Sequence, residues 1–237
     1  MDTSNQHTDE SVKLSEKESL LSVSEKDNSP YRHSRGFLPH IENKQIQFIT
    51  FRLYDSVPQK VIQQWKVLLA NEKEKVRNKS FEEEERLRHL IDQYEDAGYG
   101  NCFLKDSRVA STLESTLKFF DEKRYTLLRW CIMPNHVHVL IDIKTGWSLS
   151  AILSSWKSFS AHKANRILGR NGRFWMTEYY DRYIRTAEQF MKIVNYIDYN
   201  PIKANLCKTP EEWEWRTKSE YLGRIRDYDY DLNRLEA

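Results

Sequence analysis

The strongest constraint on this chain is a pair of apolar runs joined by three residues. Tyr125–Ile132 reads YTLLRWCI and His136–Ile143 reads HVHVLIDI, with only Met133-Pro134-Asn135 between them. Both runs are rich in β-branched, aromatic and leucine residues, which marks them as strands. A link this short joins only antiparallel neighbours, because a parallel pair needs a crossover of about a dozen residues or more. Residues 45–54 (QIQFITFRLY) form a further strand pattern, and residues 179–185 alternate loosely enough to form a fourth. Pro58 opens a helical pattern (Val61, Ile62, Trp65, Leu68, Leu69) that runs on into a charged stretch, in which Glu82–Glu85 reads as a solvated acidic face. Gly98 and Gly100 break the chain there. A helix with Val109, Leu113, Leu117, Phe119 and Phe120 follows. Another spans about residues 149–168, where Ile152, Leu153, Trp156 and Phe159 recur at helical spacing before Gly169. The last helix starts at Thr186, which forms a capping-box pattern with Gln189, and is predicted to end at Pro201. The order β-α-α-β-β-α-β-α predicts an α+β domain, a ferredoxin-like antiparallel sheet with packed helices.

Composition narrows the setting. At 39% hydrophobic and 13% aromatic, the 237 residues can build a core. No apolar run approaches the ~18 residues of a membrane span, and the first residues lack a signal-type stretch. Three scattered cysteines (Cys102, Cys131, Cys207) exclude a disulfide scaffold and fit a reducing cytoplasm. The net charge of +2 conceals an asymmetry, since residues 1–30 hold three lysines against seven acids. That Ser-, Glu- and Lys-rich segment is predicted to be a disordered tail. Residues 31–216 are predicted to be the working domain, and residues 217–237 a charged tail. The rest of the chain is mildly basic, which permits a nucleic-acid partner without demanding one.

Three features carry chemistry. On a strand, alternate side chains share a face, so His136 and His138 point the same way while Val137 points to the other. Two imidazoles on one face suit a shared divalent metal, and the apolar residues around them make packing a poorer explanation. On the last helix, Phe190, Ile193, Val194 and Ile197 form the buried face. Tyr196 and Asn200 emerge together on its border as i and i+4 neighbours. Lys192 lies one turn before Tyr196, a candidate to favour its phenolate. One of thirteen tyrosines on a helix border is ordinarily just a packing residue. Finally, residues 148–185 hold seven cations against two acids, interleaved with aromatics. Such a stretch suits single-stranded nucleic acid, with phosphates on the charges and bases on the rings. A charged helix over an aromatic core fits the composition equally well, and Trp156 belongs to that core.

At these residues the sequence resembles a known family. WCIMPNHVHVLI, LSSWKSFSAHKANRILGRNGRFW and EYYDRYIRTAEQFMKIVNYIDYNPIKANL look like the REP-associated tyrosine transposases of the single-tyrosine HUH endonuclease superfamily, relatives of the IS200-like transposases. The likeness runs over about residues 31–216. It implies a ferredoxin-like fold with the His pair on a central strand. It further implies that His136 and His138 bind Mg²⁺ or Mn²⁺, that Tyr196 is the nucleophile, and that Asn200 completes the metal site as a neutral, weak ligand. The partner it implies is single-stranded DNA beside a palindromic hairpin, contacted by Lys157, Arg173, Trp175, Arg182, Arg185, Lys192 and Lys203. The activity it implies is nicking and strand transfer through a 5′-phosphotyrosine, in a cytoplasmic, nucleoid-associated protein. Tyr196 serving its own subunit's His pair and Tyr196 serving that of a homodimer partner both remain open. So does a hairpin-binding protein that no longer cleaves. A zinc hydrolase built on His136 and His138 wants a third strong ligand, and His7, His33, His40, His89 and His162 lack the spacing to supply it.

Overall fold

The structure, a computed structural model, describes residues 32–34, 39–41, 46–73 and 80–225. The tail expected over residues 1–30 lies outside them, as do residues 226–237. Six strands are described: β1 (Arg32–Ser34), β2 (Pro39–Ile41), β3 (Ile46–Leu53), β4 (Tyr125–Ile132), β5 (His136–Ile143) and β6 (Trp175–Tyr183). The helices are α1 (Gln59–Lys73), α2 (Ser80–Asp96), α3 (Ser107–Phe119), α4 (Leu149–Ile167), α5 (Ala187–Lys203) and the short α6 (Ser219–Leu222). β1 and β2 form their own two-stranded ladder. The main sheet has the order β4-β5-β3-β6, antiparallel throughout. Each parallel pair, β3 with β4 and β5 with β6, is split by the strand between. This is the ferredoxin-like arrangement expected from the element order.

The sheet is buried on both faces. From β5, Val137, Val139, Ile141 and Ile143 join a core under α3 and α4 that includes Leu113, Leu117, Ile152 and Trp156. The opposite face takes Phe48 and Leu140 under Phe190, Val194 and Ile197 of α5. Each of those three side chains contributes about 1.5–3 kcal/mol by leaving water. His136 and His138 alternate with Val137 and Val139, so both fall on the α5 face.

Four sequence expectations need correcting. The fourth strand begins at Trp175, four residues before the alternation suggested. The helical pattern after Pro58 is two helices rather than one, so α1, α2 and α3 all lie between the first two strands of the main sheet. β4 carries a bulge between Leu127 and Arg129. The extra residue lets Tyr125, Leu127, Trp130 and Ile132 all face the α3–α4 core while Arg129 turns toward Asp198 of α5, Nε to Oδ2 3.6 Å. Lastly, Pro201 sits inside α5, which runs on to Lys203. Proline removes one donor, but the amides of Ala204 and Leu206 still bond the carbonyls of Asn200 and Pro201 at 3.0 and 2.9 Å, so the final turn closes. Thr186 caps α5 as expected, accepting from Gln189 N at 3.1 Å, while the Gln189 carboxamide reaches back to Arg185 N.

Residues 213–225 cover the β4 edge. Ile132 N donates to Trp215 O at 2.8 Å and Thr217 N to Trp130 O at 2.9 Å. Tyr221 stands edge-on to Trp130, and Arg224 pairs with Asp121 at 2.9 Å. Residues 217–225, expected in a charged tail, are thus packed against the sheet. Among the described residues, no helix is long and apolar enough to cross a membrane.

Candidate active site

Antiparallel pairing brings β3 alongside the His pair, with Thr50 opposite His138 and Arg52 opposite His136. Both imidazoles are fully buried, and their Nε2 atoms lie 3.0 Å apart. The outer nitrogens are both engaged. His136 Nδ1 is 2.7 Å from Asn135 Oδ1, and His138 Nδ1 is 2.9 Å from Thr50 Oγ1. Burial depresses the basicity of both rings, with His136 pushed down to about 3 and His138 well below the usual histidine range. The nearby Asp96 opposes this for His136, while the Arg88 and Lys203 cations reinforce it for both. Both rings are therefore neutral at physiological pH, the state in which imidazole donates a lone pair to a metal.

α5 lays Tyr196 against this pair. Its ring meets the His138 ring edge-on with centroids 5.1 Å apart, and Phe48 packs edge-on to it at 5.7 Å. Tyr196 and His138 thus come together within one chain. One turn on, Asn200 is buried beside His138, its amide without a close hydrogen bond yet near enough to interact with that ring and favour its protonated form. A buried carboxamide whose polar atoms lack close partners is costly, and its oxygen is available as a ligand. Because α5 continues through Pro201, Lys203 also reaches this end. Its Nζ is 2.7 Å from Asp96 Oδ2 and 5.8 Å from the centre of the Tyr196 ring.

Helix α2 closes the site with a charged network that the sequence reading missed. Arg88, Asp92 and Glu95 recur at i, i+4 and i+7 and so share one face. Glu95 is buried between Arg52 and Arg88, 3.4 and 3.5 Å away, and Arg88 also pairs with Asp92 and stacks on the Tyr180 ring at 4.7 Å. Asp96 Oδ1 is 3.8 Å from His136 Nε2. The spacing was legible, but the nearby acidic run drew the reading toward a solvated face. Burial and the neighbouring acids push Asp92 up to about 6 against the pull of Arg88. Burial also drives the Tyr196 phenol far above its ordinary value, and Asp92, Asp96 and Glu95 add to this while Arg88 opposes it.

The predicted DNA contacts separate into three groups. Trp175 is core, with its indole donating to Ser160 Oγ at 2.9 Å and its ring against Phe51, so it offers no face to a base. Lys157 donates to the carbonyls of Met176 and Thr177, both at 3.0 Å, which ties α4 to β6. Lys192 is exposed and paired with Glu188 at 2.6 Å. The cation that acts on the Tyr196 phenol is Arg88, while Lys203 reaches the face of its ring. Arg173, Arg182, Arg185 and Lys203 are exposed. Arg173 lines a cavity of about 480 Å³ between α4 and β6, together with Ser154, Lys157, His162 and Asn165.

Comparison with known proteins bears on this geometry. Residues 99–200 match the family described as "Transposase IS200 like". The IS200-like stretch takes in Asn135, His136, His138, Tyr196 and Asn200, while Thr50, Arg52, the α2 network and Lys203 fall outside it. A solved structure of a REP-associated tyrosine transposase bound to a REP hairpin is also similar. It shows 14% identity and a TM-score of 0.47, over 82% of this chain and 86% of that one. No curated protein matches the sequence. Among the described residues, no three His, Cys, Asp or Glu side chains group as a metal site.

Proposed function

We propose that the protein is a single-stranded DNA nicking and strand-transfer enzyme with Tyr196 as nucleophile, acting beside palindromic hairpins on chromosomal DNA in the nucleoid. One observation carries the reading: two neutral, buried imidazoles with converging Nε2 atoms, a tyrosine ring against one of them, and an amide without a close hydrogen bond one turn further on. The match to IS200-like transposases over those residues supports it.

The side chains fit a divalent cation, Mg²⁺ or Mn²⁺. The two Nε2 atoms lie 3.0 Å apart, close enough that both would reach one ion. His136, His138 and Asn200 would hold it. When bound it would supply Lewis-acid charge to a non-bridging oxygen of the scissile phosphate. Everything else falls to the chain's own residues. Tyr196 Oη forms the new bond to phosphorus in line with the 3′ oxygen, whose bond to phosphorus breaks. The phenol gives up its proton and the leaving oxygen gains one. The products are a 5′-phosphotyrosine and a free 3′-OH, and the ester keeps the bond energy for rejoining. Tyr196 acts on the His pair of its own chain. Arg173, Arg182, Arg185 and Lys203 are placed to take phosphate charge.

The test is covalent capture. Labelled single-stranded oligonucleotides carrying a hairpin, incubated with the protein and Mn²⁺, are expected to give a label that stays on the protein in a denaturing gel. Tyr196→Phe, or EDTA, is expected to remove it. Burial, with the surrounding acids, raises the phenol above its ordinary range and favours a second reading, a hairpin-binding protein that does not cleave. Tight binding with no adduct in any divalent metal would establish that one.

A further inference from the structure

We infer that Asn135 is a positioning residue that fixes the tautomer of His136, leaving the His136 Nε2 lone pair aimed into the site. The inference builds on the metal-site reading above, but its chemistry stands on hydrogen-bond polarity alone. Asn135 is fully buried in the β4–β5 turn. Its backbone carbonyl accepts from Leu53 N at 2.8 Å, and Met133 N donates to His136 O at 2.9 Å. Its side-chain nitrogen donates to Tyr99 O at 2.9 Å. A carbonyl only accepts, so the amide nitrogen must face Tyr99 and the amide oxygen must face His136. That oxygen also only accepts. The proton between it and His136 Nδ1, 2.7 Å apart, therefore belongs to the ring. A neutral imidazole protonated at Nδ1 has its lone pair on Nε2. Outer partners of this kind set ring orientation and ligand basicity in metal sites.

The anchor is rigid. Tyr99 O sits in a loop where Gly100 has φ +89°, and a Cβ there would lie 2.8 Å from Asp55 O, so the loop is pressed against the end of β3. The Tyr99 ring stacks on Tyr94 of α2 with centroids 4.1 Å apart. His138 is set differently. Its Nδ1 faces the Thr50 hydroxyl, which can donate or accept. With the His136 Nε2 lone pair 3.0 Å away, His138 donates from Nε2 in the metal-free protein. Moving that proton to Nδ1, with Thr50 turning to accept it, opens both lone pairs to a cation. One ring is thus locked and the other can switch.

The test is long-range ¹H–¹⁵N NMR on metal-free, full-length protein, with Mn²⁺ titration alongside. Wild type is expected to show His136 as the Nδ1–H tautomer. Asn135→Ala is expected to lose that signature and to weaken Mn²⁺ binding by about 10–100-fold. Asn135→Asp keeps an acceptor toward His136 but loses the donor toward Tyr99 O, and is expected to retain the Nδ1–H tautomer. The inference is overturned if wild-type His136 carries its proton on Nε2. It is equally overturned if Asn135→Ala, folded by thermal melting, binds Mn²⁺ as wild type does. A wild type that binds no Mn²⁺ yet shows the Nδ1–H tautomer supports the role of Asn135 and counts against the metal-site reading instead.

Discussion

A single side chain here is defined by what it must share its burial with. Glu95 is the clearest case, holding Arg52 and Arg88 together beneath the His pair with its own carboxylate almost wholly out of water. Removing one member of such a cluster strands the others. Glu95→Ala is therefore expected to cost about 3–5 kcal/mol of stability, read from chemical unfolding. A loss below ~1 kcal/mol would show the arginines finding solvent easily. The cations near Tyr196 can be ranked in the same way. Lys203 reaches the ring and Lys192 is held on the outer face by Glu188. Lys203→Ala is expected to slow adduct formation about tenfold, the equivalent of ~1.4 kcal/mol of lost charge stabilisation, while Lys192→Ala leaves it unchanged. The reverse ranking would mean that α5 turns on binding DNA. The His pair, Tyr196 and Asn200 were legible in the sequence because period 2 and period 3.6 place them without reference to the rest of the fold. The fates of Trp175 and Lys192 were not, since an aromatic or a lysine on a mixed-polarity segment serves core, ion pair or ligand equally well.

At the scale of elements, α5 does most of the positioning. Its N-terminus is set by Thr186, and its apolar stripe seats it on the sheet. Thr186→Ala is expected to cost about 1 kcal/mol in thermal or chemical unfolding. A loss near zero would show the Gln189 carboxamide sufficing as the cap. The continuation past Pro201 matters more for chemistry, because Tyr196, Asn200 and Lys203 share a face only if the last turn forms. Proline reads as a stop in sequence because its own lost hydrogen bond is visible there. The bonds from Ala204 and Leu206 that hold the turn together depend on where the chain goes next. The β4 bulge is of the same kind. One extra residue sends Arg129 to Asp198 and Trp130 to the core, and nothing in YTLLRWCI marks it.

For the whole molecule, the cover on one sheet edge bears on association. β4 is an edge strand whose free backbone groups are met by residues 213–217. An uncovered edge recruits another strand. Deleting residues 215–237 is expected to shift the protein toward dimers or larger species, measured by light scattering during size exclusion. A truncated chain no more associated than the full-length protein would show the cover to be dispensable. The cover also carries packed residues past the end of the family likeness at residue 216, since Thr217 and Ile225 are buried.

By itself the sequence determined the strand–turn–strand at residues 125–143, the shared face of His136 and His138, the helix that carries Tyr196 and Asn200, and through the order of elements the ferredoxin-like topology. All of these follow from local periodicity and chain connectivity. Only the tertiary structure decided that α2 delivers Arg88, Asp92, Glu95 and Asp96 to the site, that Thr50 and Arg52 lie opposite the histidines, that Trp175 is core, and that residues 213–225 close the sheet. Those pairings join residues from about 40 to more than 100 positions apart. Their partners are chosen by packing and desolvation across the assembled core, which no local pattern records.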